Sequence, residues 1–156
     1  MSFERAKAYL DERGFSGRVL EFDEPSATVA QAAHAAGTSE GEIVKTLSFL
    51  VGDGAVLVCA AGDTKIDNPK FKAAFHTKAK MIPGDRVEGM VGHAPGGVCP
   101  FAIPAGIPVY LDESIRRFEY VYPACGSSNS AVRLTPDELE QVVQGATWID
   151  VCKVVC

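Results

Sequence analysis

The chain reads as an α+β fold: a single domain over residues 1–156, with a mixed, largely antiparallel, curved and barrel-like sheet of about seven strands and short flanking helices. Three observations predict it. Short runs rich in Val, Ile, Leu and Phe recur with the period of two that belongs to strands. Well-capped helix starts fall between them, and each helix is short. The two do not alternate as β-α-β, so a wholly parallel sheet is not expected. With 156 residues and 47% apolar side chains, the chain is long enough for one full core. No repeat, linker or low-complexity segment divides it.

The elements follow in order. Ser2 can cap a helix over residues 3–13, with Phe3, Ala6, Tyr9 and Leu10 on its apolar side and Gly14 as its stop. Residues 18–23 predict a short strand. Thr28 and Gln31 form a capping-box pattern for an alanine-rich helix ending at Gly37. Residues 45–51 and 55–61 predict a hairpin through Gly52-Asp53-Gly54. Asn68-Pro69 reads as a cap followed by proline at the first helical position. A short strand is expected at 78–82 and a short helix from Asp85 to Gly92. Strands follow at 107–111, 119–122 and 131–134, with a helical turn around Glu113 to Phe118. Thr135-Pro136-Asp137-Glu138 is the best helix start in the chain, carrying a cap, a proline and two first-turn acids. A last strand is expected over 147–155.

Composition excludes several classes. No apolar run approaches the ~20 residues needed to span a bilayer, and Met1 to Arg5 does not open a signal peptide. The five cysteines are an odd number without a close C-x-x-C pair, which fits a reduced, cytoplasmic protein. The net charge of −5 argues against general affinity for nucleic acid, and no DNA partner is expected. Its distribution is uneven. Lys65, Lys70, Lys72, Lys78 and Lys80 crowd residues 65–80 against the single acid Asp67. That patch suits either a small phosphate footprint or an ordinary solvated face.

Two features stand out chemically. The stretch Gly92 to Pro104 contains Gly96-Gly97, whose bare main chain a ligand can approach closely and whose N–H groups can point at a polarised oxygen. It also reads as a plain Pro/Gly connector. Lys45 is the second. Period two puts it on the face of Leu47, Phe49 and Val51, where an ammonium is costly unless paired or open to a cavity. Either the strand begins after Lys45, or Lys45 projects into a pocket.

Other chemistries find less support. His34, His76 and His93 and the scattered cysteines lack zinc-site spacing, so no metal and no cofactor are expected. Cys152 and Cys156 read as strand packing. A thiol hydrolase built from Cys99 or Cys125 with His93 needs a geometry that sequence adjacency does not supply. Dinucleotide and Walker fingerprints are absent.

Three separated pieces then point one way: Ile43-Val44-Lys45-Thr46-Leu47, Gly96-Gly97-Val98-Cys99-Pro100-Phe101, and Gly126-Ser127-Ser128-Asn129 followed by Arg133-Leu134-Thr135-Pro136-Asp137-Glu138-Leu139. In this order they resemble the YbaK/ProX-type aminoacyl-tRNA deacylases, free-standing relatives of the editing domain of bacterial prolyl-tRNA synthetase. The resemblance runs from Thr28 to about Val143. It implies a metal-free trans-editing hydrolase that cuts the ester of a mischarged tRNA, with tRNA-Pro carrying Ala, Cys, Ser or Thr as the leading substrate. Lys45 would hold the terminal phosphate or ribose. Gly96 and Gly97 would orient the ester carbonyl and stabilise the oxyanion. Thr46, Val98 and Cys99 would line the pocket, and Ser127 and Asn129 would help hold the amino acid or adenosine. Water, helped by the substrate's own ribose hydroxyl, would be the nucleophile.

The implied partners are the tRNA 3′ CCA end, contacted by the 65–80 lysines, and a synthetase; a monomer or weak homodimer is expected. Three places depart from the commoner family pattern: Ala102 after Pro-Phe, Cys99 in place of Ser or Thr, and Tyr122-Pro123-Ala124-Cys125 before the last loop. The first two leave open a non-catalytic module binding an aminoacyl-adenosine-like ligand or a protein partner.

Overall fold

A computed structural model describes residues 2–143 and 145–155; Cys156 lies outside the described residues. The chain opens with helix α1 (Ser2–Glu12), strand β1 (Val19–Glu21) and helix α2 (Val29–Ala36). A hairpin follows, β2 (Ile43–Val51) and β3 (Gly54–Ala61), then the short β4 (Thr64–Ile66), α3 (Asn68–Phe75) and α4 (Gly84–Val91). The second half carries β5 (Val109–Asp112), β6 (Tyr122–Pro123), β7 (Ser130–Val132), α5 (Pro136–Val142), β8 (Thr147–Ile149) and β9 (Cys152–Val154).

The main sheet has the order β6-β2-β3-β5-β8. The hairpin β2–β3 is antiparallel over Val44↔Ala61 to Val51↔Gly54, whereas β6, β5 and β8 join in parallel. Antiparallel bridges Val121↔Leu134 and Ala124↔Ala131 carry the surface from β6 onto β7, which pairs with β1. The sheet therefore curls into a half-barrel with helices against it, a mixed α+β domain as the sequence predicts.

β3 runs through the centre. Every residue from Ala55 to Ala61 is buried, so both of its faces are covered. Leu57 and Cys59 face a core closed by Ala6 and Leu10 of α1, Val87 and Val91 of α4, and Leu139 and Val142 of α5. On the other face Val56, Val58 and Ala60 join Phe49, Phe71 and Cys152. There Phe71 packs between Phe49 and Phe75, with centroids at 4.9 Å and 4.6 Å. Side chains of this size dominate the burial that holds a domain together.

Local chemistry explains most of the helices. Thr28 caps α2 through Gln31 N, with the reciprocal bond from Gln31, and Gly37 closes it at φ 70°. Thr135 and Glu138 make the same capping box for α5. Four expectations shift. The cap of α3 is Asp67, whose carboxylate accepts from Lys70 N, so Asn68 is the first helical residue. Residues 78–82 are not a ladder strand; they touch β2 through the bridge Phe49↔Met81. The expected last strand splits into β8 and β9, and β9 pairs with β4, which the sequence reading omits. The strand expected at 119–122 shortens to Tyr122–Pro123, a two-residue edge that suits proline.

Candidate active site

The site lies where the outer edge of β2 loses its neighbour. At its start β2 pairs with β6 through Ile43↔Tyr122 and Val44↔Pro123. Near its end the Ser48 carbonyl accepts from Ile82 N at 3.0 Å, and Leu50 N donates to the Lys80 carbonyl at 2.8 Å. Along a strand, alternate residues present both main-chain groups to the same side. The N–H and C=O of Thr46 therefore face the same edge as those of Ser48 and Leu50, in the stretch that neither β6 nor residues 80–82 cover.

A cleft of about 450 Å³ opens there. Its walls come from β2, the segment 26–28 and the start of α2, residues 81–87, the glycine turn and the β6–β7 region. Lys45 is the one charged side chain among the described residues that line it. Its ammonium donates to the Thr64 carbonyl, not to a carboxylate. Burial holds Lys45 below the usual lysine range, opposed by the negative potential of the Cys152 and Asp63 groups. The strand does begin before Lys45, at Ile43, so of the two readings of that residue the structure takes the one in which it reaches a pocket.

The glycine stretch forms a tight turn. Gly97 N donates to the Ala94 carbonyl at 3.0 Å, with Pro95 at the second position and Gly96 at φ 90° in the third. This is the pattern of a type II turn, which needs positive φ at its third residue. It corrects the expectation for Gly97. Its N–H is occupied, and a Cβ there would lie 2.9 Å from both Gly126 C and Ser127 N, so the residue is a packing point. Gly96 and Val98 line the cleft, and among the described residues neither main-chain N–H has a partner.

Behind the turn lies a buried cluster. His93, fully buried, donates from Nε2 to the Phe101 carbonyl at 2.7 Å, which leaves Nδ1 to accept from the Ser2 hydroxyl. Burial pushes the His93 imidazolium below its usual range. Cys99 is expected in the pocket but is fully buried behind it, with Sγ at 3.4 Å from His93 Nε2. Burial raises its thiol far above the ordinary range, and that of Cys125 to about 12. A protonated thiol facing an imidazole N–H is not an activated nucleophile. This geometry speaks against the thiol-hydrolase arrangement.

The remaining expected residues divide. Thr46 and Val98 line the cleft, the Thr46 hydroxyl lying 3.6 Å from Cys59 Sγ. Ser127 and Asn129 do not line it. Ser127 Oγ donates to Asn129 Oδ1 at 3.0 Å and shares a 2.6 Å bond with Ser130, while Asn129 Nδ2 donates to the Phe22 carbonyl. Their polar groups shape the loop, and Ser130 reaches the cleft in their place. Lys65, Lys72, Lys78 and Lys80 are exposed, whereas Lys70 is bound to Asp150 and the Cys152 carbonyl. Lys80 precedes Met81, which lines the cleft while 54% exposed. Sequence reasoning missed Ser26, Ser48, Met81, Tyr122 and Ser130. None belongs to a chemical motif, and their convergence is visible only in three dimensions.

Among the described residues, no group of three or more His, Cys, Asp or Glu side chains is placed to hold a metal ion, and no helix is long and apolar enough to cross a membrane.

The model of the aminoacyl-tRNA editing domain matches residues 23–142, a span that contains every wall of the cleft. The chain belongs to the aminoacyl-tRNA editing domain family. This editing domain is 46% identical over 154 residues to the uncharacterised protein YwhH of Bacillus subtilis (strain 168), covering 98% of each chain. It is also similar to a crystal structure of a candidate trans-editing enzyme for prolyl tRNA synthetase, at 31% identity and a TM-score of 0.87 over 97% of both chains. A scaffold protein from the computational grafting of linear epitopes matches the editing domain with 32% identity and a TM-score of 0.87, over 99% of this chain and 98% of that one.

Proposed function

We propose that this editing domain is a trans-acting deacylase. It hydrolyses the ester between a small amino acid (Ala, Cys, Ser or Thr) and the 3′ end of a non-cognate tRNA, with tRNA-Pro as the leading acceptor, in the cytoplasm. The observation that carries the reading is the cleft itself. Gly96 and Val98, whose main-chain N–H groups have no partner among the described residues, line a space whose one cation among those residues is Lys45.

In this reading the ester carbonyl rests against the turn, where its oxygen gains negative charge as water attacks. Preorganised N–H donors stabilise that charge without reorganisation, and removal of one such donor typically raises a barrier by ~3 kcal/mol. The Lys45 ammonium leaves the Thr64 carbonyl on its flexible stem and meets the terminal phosphate or ribose. Water, oriented by the neighbouring ribose hydroxyl, adds to the carbonyl carbon. The ribose oxygen departs with a proton, releasing free amino acid and uncharged tRNA. The chain itself supplies binding, orientation and electrostatic stabilisation, and needs no side-chain nucleophile. The chain grips the CCA end, with the exposed 65–80 lysines toward the acceptor stem and a synthetase as the supplier of substrate.

The test is a deacylation panel: tRNA-Pro charged with Ala, Cys or Ser, and Ser- and Thr-charged tRNAs, each with wild type and Lys45→Ala. Release of amino acid that depends on Lys45 supports the reading. Ligand binding without cleavage of any ester assigns a non-catalytic binding module instead.

A further inference from the structure

Among the described residues one buried side-chain polar atom lacks a hydrogen-bond partner: the hydroxyl oxygen of Ser26. Ser26 is 8% exposed and belongs to the wall of the cleft. Its main chain is well held, since its N–H donates to the Ser128 carbonyl at 2.6 Å, so the side chain sits at a fixed point. Two other wall hydroxyls serve the fold. Thr28 caps α2 through Gln31 N, and Ser130 pairs with Ser127. A buried hydroxyl left without a partner is a cost to the free protein, which a ligand group can relieve.

The position of Ser26 narrows what that group is. Its neighbour Ala27 packs on the turn, its Cβ 3.4 Å from where a Cβ on Gly96 would be. Gly96 therefore lies beside Ala27, one residue of chain (~3.8 Å between Cα atoms) from Ser26, and the proposed ester carbonyl at the turn is close to both. Seen from an ester carbonyl, the amino-acid side chain begins two bonds away, and the bulky adenosine extends in the other direction. The cleft wall also carries Val29, Ala32 and Val98, whose side chains offer no acceptor to a charged α-ammonium. The Ser26 hydroxyl can both donate and accept, and another hydroxyl on the ligand complements it in either sense.

We propose that Ser26 is a specificity-determining residue that hydrogen-bonds the β-hydroxyl of the amino acid, so that the cleft prefers seryl or threonyl esters to alanyl ones. This deepens the editing reading and rests on it. The discrimination follows the general asymmetry of polar pockets. A site built to bond a hydroxyl rejects the analogue that lacks it, because its own polar group stays unpaired. Alanine restores the orphaned state of the free protein, whereas serine and threonine remove it.

The experiment uses non-hydrolysable amide analogues, seryl and alanyl groups on 3′-amino-3′-deoxyadenosine, titrated calorimetrically into wild type and Ser26→Ala. Thermal unfolding of both unliganded proteins accompanies the titration. We expect the wild type to bind the seryl analogue at least about tenfold more tightly than the alanyl analogue, and Ser26→Ala to bind the two within about twofold. Unliganded Ser26→Ala is expected to unfold at the wild-type temperature or above, since an unsatisfied buried hydroxyl has been removed. A purely structural serine would lower that temperature and leave the affinity ratio alone. Binding of both analogues with the same ratio in the two proteins overturns the Ser26 assignment while the editing reading stands. Binding of neither, together with no deacylation of any charged tRNA, overturns both.

Discussion

Gly97 lies flat against the peptide that joins Gly126 to Ser127, with the site of its absent Cβ 2.9 Å from both Gly126 C and Ser127 N. This contact locks the glycine turn to the loop that precedes β7, and main chain on main chain leaves nowhere for a methyl group to go. Gly97→Ala is expected to push the two segments apart. Overpacking of this kind costs about 1–3 kcal/mol. Thermal unfolding should fall by several degrees and deacylation by tenfold or more. Gly17→Ala is the control, because a Cβ there meets nothing within 4 Å.

Lys45→Ala is expected to abolish most ester release, by about 100-fold, without lowering the unfolding temperature. The ammonium is half-buried and bonded to a neutral carbonyl, so the fold gains little from its charge. Its lowered folded-state pKa fixes the sign of the linkage. Just below the ordinary lysine range the unfolded chain binds more protons than the folded one, so the Lys45 contribution to stability rises with pH there. A wild-type stability curve that runs less steeply upward at alkaline pH in Lys45→Met would confirm this; identical slopes would refute it.

His93 titrates in the acidic direction. Burial depresses its pKa, with the Phe101 carbonyl opposing and Arg5 reinforcing. Below the unfolded value of about 6.5 the unfolded chain takes up a proton that the folded one resists. Stability is therefore lost as pH falls from 6.5 toward the depressed value, by at most about 1.4 kcal/mol per pH unit. His93→Gln should flatten that decline between pH 6.5 and 5 in equilibrium denaturation. The imidazole ties Ser2 to the Phe101 carbonyl, so deacylation by this variant should also fall at neutral pH.

Cys99→Ser and Cys125→Ser should each retain deacylation within about threefold of wild type. Both thiols are fully buried and held protonated by that burial. Loss of activity in either variant, at a temperature where it remains folded by circular dichroism, would restore the thiol mechanism.

The exposed lysines are tested by charge reversal. Lys72→Glu, Lys78→Glu and Lys80→Glu should each weaken binding of full-length tRNA and reduce its salt slope by about one unit. Release from a minimal aminoacyl-adenosine should be unchanged. Lys70→Ala should act differently, through the tie to Asp150 that anchors α3 to the β8–β9 junction.

How much of this was legible depended on the range of the interaction. The capping boxes at Thr28 and Thr135 and the β2–β3 hairpin were readable because cap, partner and turn lie within a few residues. Lys45 was conspicuous for a similar reason, since strand parity alone put a cation among apolar neighbours. β4 was invisible because its partner β9 lies about ninety residues on, and three residues of β propensity are not a signal. The same limit misplaced Cys99, Ser127 and Asn129. Their motif positions were known, but whether each side chain turns to the cleft or to the loop is settled by packing. The role of Gly97 was half legible: Ala94-Pro95-Gly96-Gly97 has the residue pattern of a type II turn, which occupies the last N–H. Ser26 carried no local mark at all.

The uncovered edge of β2 has a consequence for how such a cleft can evolve and be studied. In the proposed reaction its working contacts are largely peptide groups: Thr46 at the strand edge, Gly96 and Val98 at the turn. Peptide groups are common to every residue, so drift in the surrounding side chains leaves them in place while the fold lasts. Alanine scanning reports on side chains such as Lys45 and Ser26 but cannot remove the N–H of Thr46, Gly96 or Val98. Interrogating them calls for replacement of single amide bonds by esters through chemical ligation, which deletes a donor and leaves the side chain untouched.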